Sequence, residues 1–198
     1  MPSNANPYLA EYNAAITRSN SPCLTPLDSQ STLYDARKTL RKKYSYAIPN
    51  SKALKAICLL SPIIEIGAGS GYWASLIHQR KASISAYDVA PSKNPYRFSH
   101  THFPVLQHSD CVLPHTPPSY TLLLCWPPYN SPMAAVALSQ FTGTSLVYIG
   151  EAQGGCTGND QFHECLAREW RLTQRIPIPQ WPGIHDSCFI YRKKTDTI

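Results

Sequence analysis

Three groups of residues in this sequence have types and spacings suited to chemistry. The first is Ile63-Ile-Glu-Ile-Gly-Ala-Gly-Ser-Gly-Tyr-Trp73, an apolar run that enters three alternating glycines and then a helical pattern. Glycine is required where a tight turn visits positive φ, or where backbone must approach a ligand closely. A loop that opens a helix also aims free backbone N–H groups into the space above it. The second group is a set of acids at or near the ends of apolar runs: Glu65, Asp88 after Ile84-Ser-Ala-Tyr, and Asp110 in His108-Ser-Asp110. Ionised carboxylates accept hydrogen bonds from vicinal hydroxyls or amino groups, although each acid alone could equally cap a helix or occupy a solvated turn. The third group is Cys125-Trp-Pro-Pro-Tyr-Asn130 together with Gly150-Glu151, again following apolar runs.

The glycine spacing separates two kinds of site. A dinucleotide fingerprint, G-x-G-x-x-G, would need glycine where Tyr72 stands. The third glycine is Gly71, and Glu65 precedes Gly67 by two positions. This E-x-G-x-G-x-G pattern resembles the first motif of class I S-adenosylmethionine (AdoMet)-dependent methyltransferases, and the resemblance extends from about residue 50 to the C-terminus. It implies AdoMet as cofactor, with Glu65, Gly67, Gly69, Gly71, Asp88 and Asp110 as its binding residues. Glu65 would lie near the methionine end, Asp88 on the ribose hydroxyls and Asp110 at the adenine amino group. The three acids fall at consecutive strand ends, where open α/β sheets bind ligands.

Cys125-Trp-Pro-Pro-Tyr-Asn130 resembles the Asp/Asn-Pro-Pro-Tyr/Phe motif of amino-directed methyltransferases. The resemblance covers Pro127, Pro128 and Tyr129 and stops at Trp126, because an indole donates but does not accept. Two prolines stiffen such a turn. The residues implied for the acceptor are Trp126, Pro127, Pro128 and Tyr129, with Tyr129 supplying a flat wall and a hydroxyl. The turn could instead be a rigid aromatic loop without a catalytic acceptor. Glu151 is the candidate general base or orienting carboxylate facing the transferred methyl; its alternative is to cap the helix that starts near Asp160. Methyl transfer depends mainly on alignment, with a base needed only for a protonated acceptor.

Alternating elements must hold these residues in place. Apolar runs predict strands at Ile63–Ile66, Ile84–Tyr87, Phe103–Gln107, Thr121–Cys125, Leu146–Ile149, Leu172–Ile178 and Cys188–Arg192. Helices are expected over Tyr72–Gln79, Pro132–Phe141 and Gln161–Trp170. The fold class is α/β: a seven-stranded, mostly parallel, doubly wound sheet with an antiparallel C-terminal strand pair, preceded by an N-terminal helical arm. Residues 1–60 form the arm and helices that pack on the catalytic domain, 61–198, as one folding unit. Residues 1–30 read as irregular, with a short helix near Tyr8–Ile16. Ser31–Tyr44 reads as an amphipathic helix whose Arg37, Lys38, Arg41, Lys42 and Lys43 form a basic face. That face either is simply solvated or steers an anionic substrate. Asn50 is a plausible N-cap for Ser51–Leu60.

Bulk composition sets the outer bounds. With 198 residues, 43% of them hydrophobic and 15% charged, the chain is a globular domain rather than a disordered one. No apolar run approaches a membrane span and Met1–Ala10 lacks a signal-peptide pattern, so a cytoplasmic location is expected. Seven scattered cysteines without a Cys-x-x-Cys pair point to free thiols and no metal site. A net charge of +6 permits an anionic partner without requiring one. The resemblance implies methyl transfer to an unidentified small-molecule or protein acceptor. A nucleic-acid N-methyltransferase and an AdoMet-binding protein without transfer activity are the alternatives.

Overall fold

Alternate residues of the central strands feed two separate hydrophobic layers. The computed structural model describes residues 5–91, 98–108 and 116–194. Its strands are β1 (Ile63–Ile66), β2 (Ile84–Asp88), β3 (Val105–Gln107), β4 (Thr121–Cys125), β5 (Ser145–Gly150), β6 (Trp170–Pro177) and β7 (Ser187–Lys193). They form one sheet in the order β3-β2-β1-β4-β5-β7-β6. The first five strands pair in parallel, and β7 runs antiparallel to both β5 and β6. This is the doubly wound α/β sheet expected from the alternation of strands and helices.

The described residues also form six helices: α1 (Pro7–Ser19), α2 (Pro26–Lys43), α3 (Ser51–Cys58), α4 (Tyr72–Gln79), α5 (Met133–Gln140) and α6 (Asp160–Glu169). Ile63, Leu123 and Val147 point to one face, where they join Leu54 and Ile57 of α3, Leu76 and Ile77 of α4, and Tyr8 of α1. Their neighbours Ile64, Leu122 and Leu146 point to the other, against Ala134 and Leu138 of α5 and Phe162 and Leu166 of α6. The period-2 alternation of a strand produces both layers from one run of apolar residues.

The N-terminal region is more regular than expected. α1 covers thirteen residues, because Asn6 caps it by accepting from the Leu9 N–H and Pro7 occupies its first turn. α2 begins at Pro26 rather than Ser31. Thr25 and Asp28 form a reciprocal capping box around that start. Apolar periodicity begins only at Leu33, so the polar first turn is set by its cap. At the other boundaries, Trp170 opens β6 instead of closing α6, and β3 is shorter than expected because Pro104 cannot donate to the ladder. No disulfide occurs among the described residues; Cys165 and Cys188 are buried free thiols, whereas Cys23 and Cys156 are exposed. Nor is any helix there long and apolar enough to cross a membrane.

Tyr8 links the arm to residues 61–198, where its N–H donates to the Tyr72 hydroxyl at 3.1 Å. It is fully buried, stacks on Tyr44 at 5.1 Å and accepts a 3.1 Å hydrogen bond from the Trp181 indole. We propose that residues 1–60 and 61–198 unfold together. Tyr8→Ala should then lower stability by about 3–5 kcal/mol, the usual loss for a large aromatic core residue, within a single urea transition. A separate early transition of the arm, leaving the sheet unchanged, would show that the two parts fold independently.

Candidate active site

The strand order reverses between β1 and β4, so the loops leaving these two neighbours diverge and open a crevice. A cavity of about 650 Å³ lies there, within the range of roughly 300–1,000 Å³ typical of small-molecule sites. It is lined by Glu65, Gly67, Gly69, Asp88 and His108 from the first three strands and the loops that leave them, and by Tyr46, Trp126, Pro128 and Tyr129. The crossover from β1 to β4 therefore brings together motifs about sixty residues apart in sequence.

The glycine loop is pinned before any ligand arrives. The Gly67 and Ala68 N–H groups donate to the Tyr87 carbonyl at 2.9 and 3.0 Å. Asp88 accepts from the Gly69 N–H at 2.9 Å through one oxygen and from the Ala90 N–H at 2.9 Å through the other. Each carboxylate oxygen retains accepting capacity toward the cavity. Gly71 serves packing rather than the cavity wall. Its φ is +72°, it caps α4, and a Cβ there would lie 2.9 Å from the Phe103 Cβ and 3.2 Å from its carbonyl oxygen. Asp110 lies outside the described residues.

Three residues that line this cavity each carry a buried polar atom without a partner: Glu65 Oε2, Trp73 Nε1 and His108 Nε2. Only two other such atoms occur among the described residues, on Gln79 and Trp170, neither of which lines the cavity. Burial, reinforced by the nearby Asp88 carboxylate, pushes the Glu65 carboxyl up to about 8. Unpaired buried polar groups are costly, so their concentration in one cavity marks a place built for a polar ligand.

The opposite wall differs from the expectation. Trp126 and Tyr129 line the cavity, with Tyr129 half-exposed at its edge. Trp126 adopts φ +54° and stacks on Tyr46 with ring centroids 4.6 Å apart. Its indole N–H is shared between both oxygens of buried Asp186, at 2.9 Å each. Pro127 does not line the cavity; its carbonyl accepts from the Gly158 N–H at 2.9 Å, while Pro128 bridges to Thr157. Glu151, expected to face the transferred methyl, sits behind the wall. One of its oxygens accepts from the Cys156 N–H and the other from the His185 N–H, both at 2.7 Å. Nor does it cap α6, whose N-cap is Asn159. Burial alone would raise the Glu151 carboxyl, but the hydrogen bonds from Cys156 and His185 outweigh it and hold the group below the usual carboxylate range. A low, doubly committed carboxylate is a poor proton acceptor and a good loop tie.

Sequence reasoning missed Tyr46, Trp73, His108 and Asp186. Trp73 follows the glycine motif directly and could have been found there. His108 likewise follows β3 directly, two residues before Asp110, whereas Tyr46 and Asp186 are brought to the site by tertiary pairing, with no local signal.

No protein-family model matches the sequence, and no curated protein matches it. Solved structures do. Magnesium protoporphyrin IX methyltransferase from Synechocystis PCC 6803, solved with bound AdoMet, superposes with a TM-score of 0.54 at 9% identity, covering 92% of this chain and 91% of that one. The chain has a methyltransferase fold. Two further structures match at a TM-score of 0.50 and 10% identity. One concerns the conversion of a disulfide bond into a thioacetal group during echinomycin biosynthesis and covers 74% of this chain and 82% of its own. The other is an uncharacterised protein from Listeria monocytogenes, covering 75% and 70%.

The position of Glu151 generates a stability prediction. A carboxyl held low in the folded state stabilises above its unfolded pKa, and that contribution disappears as pH falls through the folded value. Glu151→Gln should be less stable than wild type by about 1–3 kcal/mol at neutral pH, from loss of charge-assisted bonds to two backbone donors. The difference should shrink in acid, below the usual carboxylate range. Denaturant titrations at several pH values measure both effects; equal stability at neutral pH would remove the loop-tying role.

Proposed function

We propose that this chain is an AdoMet-dependent methyltransferase acting on a small-molecule acceptor. The observation that carries this reading is the coincidence of three residues with an unpartnered buried polar atom, Glu65, Trp73 and His108, with Asp88 in one cavity at the switch point of a methyltransferase fold. AdoMet fits the donor set. Its ammonium group matches the free Glu65 oxygen, and its vicinal ribose hydroxyls match the remaining accepting capacity of Asp88. Bound AdoMet would supply an electrophilic methyl group on a sulfonium. Gly67 and Gly69 keep the backbone low beneath it, and Met133 packs within 2.8 Å of where a Gly67 Cβ would stand.

The acceptor would enter on the side of Tyr46, Trp126 and Tyr129. These rings offer flat apolar walls that favour a planar molecule. The Trp126 N–H is committed to Asp186, so the indole neither accepts from an amine nor donates to the substrate. Amino-directed transfer by the Asp/Asn-Pro-Pro-Tyr mode is accordingly disfavoured. Catalysis would rest on alignment and exclusion of water, with Tyr129 touching the acceptor and Glu151 holding the loop behind it.

Methyl-labelled AdoMet offered with separated protein, RNA, DNA and small-molecule fractions of a cell extract tests this reading. Label in the small-molecule fraction is expected; label confined to RNA or DNA would replace it with a nucleic-acid methyltransferase.

The cofactor side yields two binding predictions. Asp88→Ala should weaken AdoMet binding by about 1.5–3 kcal/mol, the worth of hydrogen bonds to a charged group. Glu65 adds a pH dependence. Free Glu65 holds its proton up to about pH 8, and an ammonium partner favours the ionised form, so binding at neutral pH expels a proton. Affinity should therefore rise between pH 6 and 8, by at most about tenfold per unit for one proton. Glu65→Gln should flatten the profile. Calorimetry in buffers of different ionisation heat measures the proton directly, and a flat wild-type profile would contradict the role of Glu65.

A further inference from the structure

The charge of the cavity runs against the charge of the chain. The sequence carries 18 lysines and arginines against 12 acids, yet among the described residues no lysine or arginine lines the cavity. The acids Glu65 and Asp88 line it instead. The wall assigned to the acceptor is formed by uncharged side chains, with Trp126, Tyr129, Asn130 and Cys156 among them.

Two buried carboxylates stand directly behind that wall. Asp186 takes the Trp126 indole N–H on both oxygens, at 2.9 Å each. Burial pushes its carboxyl up to about 6, which leaves it ionised at neutral pH; the charges of Arg37 and His185 favour the ionised form further. Glu151, held below the usual carboxylate range, takes the Cys156 N–H at 2.7 Å. Neither carboxylate lines the cavity, but each is bonded to a residue that does. The nearby cations stay out of the lining as well. The Arg41 guanidinium lies 5.3 Å from the Tyr46 centroid, and the His185 side chain is 80% exposed.

An anion entering this space would give up its hydration and meet like charge with no lining cation to receive it. A cation meets the opposite situation. Two ionised carboxylates attract it through protein of low dielectric, where charges are felt over longer distances than in water. Electron-rich rings add a cation–π attraction, strongest for indole.

We propose that the methyl acceptor is a planar aromatic molecule carrying a positive charge away from its reacting atom, and that this wall of the cavity rejects anions. The inference rests on the reading of the Trp126 and Tyr129 wall as the acceptor side. The reacting atom itself is uncharged, because it must offer a lone pair to the methyl group.

The test compares three probes of similar shape: 2-(aminomethyl)naphthalene, protonated at neutral pH, the neutral 2-naphthamide and the anion 2-naphthoate. Each is titrated by calorimetry, at neutral pH, into the full chain saturated with S-adenosylhomocysteine. The ammonium probe should bind about fivefold more tightly than the amide, and the carboxylate about tenfold more weakly than the amide. Both differences should narrow with added salt. D186N removes a charge while leaving an oxygen to accept from the Trp126 N–H. It should reduce the advantage of the ammonium probe, with S-adenosylhomocysteine affinity and circular dichroism unchanged. If D186N does not fold, the wild-type ranking and its salt dependence decide the matter. A carboxylate that binds as tightly as the amide, an ammonium probe no better than the amide, or no binding of any probe at millimolar concentration overturns the proposal. So does an ammonium advantage that is the same in folded D186N, or displacement of the ammonium probe by single-stranded RNA. Failure to bind S-adenosylhomocysteine counts against the cofactor reading alone, and the probes are then ranked on the free protein.

Discussion

A carboxyl group buried near the C-terminal end of β1 governs the cavity side of this molecule. Glu65 is 1% exposed, stands one residue from the C-terminal end of β1 and has one oxygen with no partner. An ionised carboxylate in that position is strongly disfavoured unless paired. The fold accommodates it in the free state by raising its proton affinity, through burial and the nearby Asp88 carboxylate. Complementation by a cationic ligand is the other solution, and the surroundings are arranged for it. β1 lies between β2 and β4, the glycine loop passes over its end, and α4 brings Trp73 to the same cavity.

The Trp126 wall of the cavity depends on a different constraint, the antiparallel insertion of β7 between β5 and β6. Parallel strands alone would leave the loops after β4 and β5 without a third partner. β7 starts beside the end of β5, so the turn preceding it delivers His185 and Asp186 to those loops. Asp186 then holds Trp126, and the His185 N–H meets Glu151. The Cys156 N–H completes the Glu151 carboxylate, while the Pro127 carbonyl takes the Gly158 N–H. Three loops are thereby tied together around two buried carboxylates. Such ties pre-organise a wall, which matters where catalysis rests on alignment.

Legibility in the sequence followed the physical range of each signal. From Ile63 onward, short apolar runs bounded by glycine and proline mark the strands, and the glycine spacing marks the crevice, because both signals are local. The start of α2 escaped periodicity because its first turn is fixed by Thr25 and Asp28, polar residues whose role is a reciprocal cap. Glu151 shows a sharper failure. An acid following a strand C-terminus ordinarily faces the ligand crevice, but here backbone donors from residues 156 and 185 capture it, and the second of these comes from the far end of the chain. Tyr46 and Asp186 were invisible for the same reason: only the packed fold places them on either side of Trp126. Trp126 itself was correctly read as unable to accept, yet its stack and its carboxylate partner could not be foreseen.

The central claim is that the unpartnered groups around Glu65 receive the cofactor, and Trp73 reports on it directly. The chain has four tryptophans, and their indole N–H signals resolve in a proton–nitrogen correlation spectrum. Trp73 lines the cavity and its buried N–H is unpartnered, whereas Trp170 does not line the cavity and the Trp181 N–H is bonded to Tyr8. Addition of S-adenosylhomocysteine should displace the Trp73 signal in a saturable manner and leave Trp170 and Trp181 in place, while NAD should move none of them. An unmoved Trp73 signal at saturating S-adenosylhomocysteine, or a Trp73 shift produced by NAD instead, would contradict the claim.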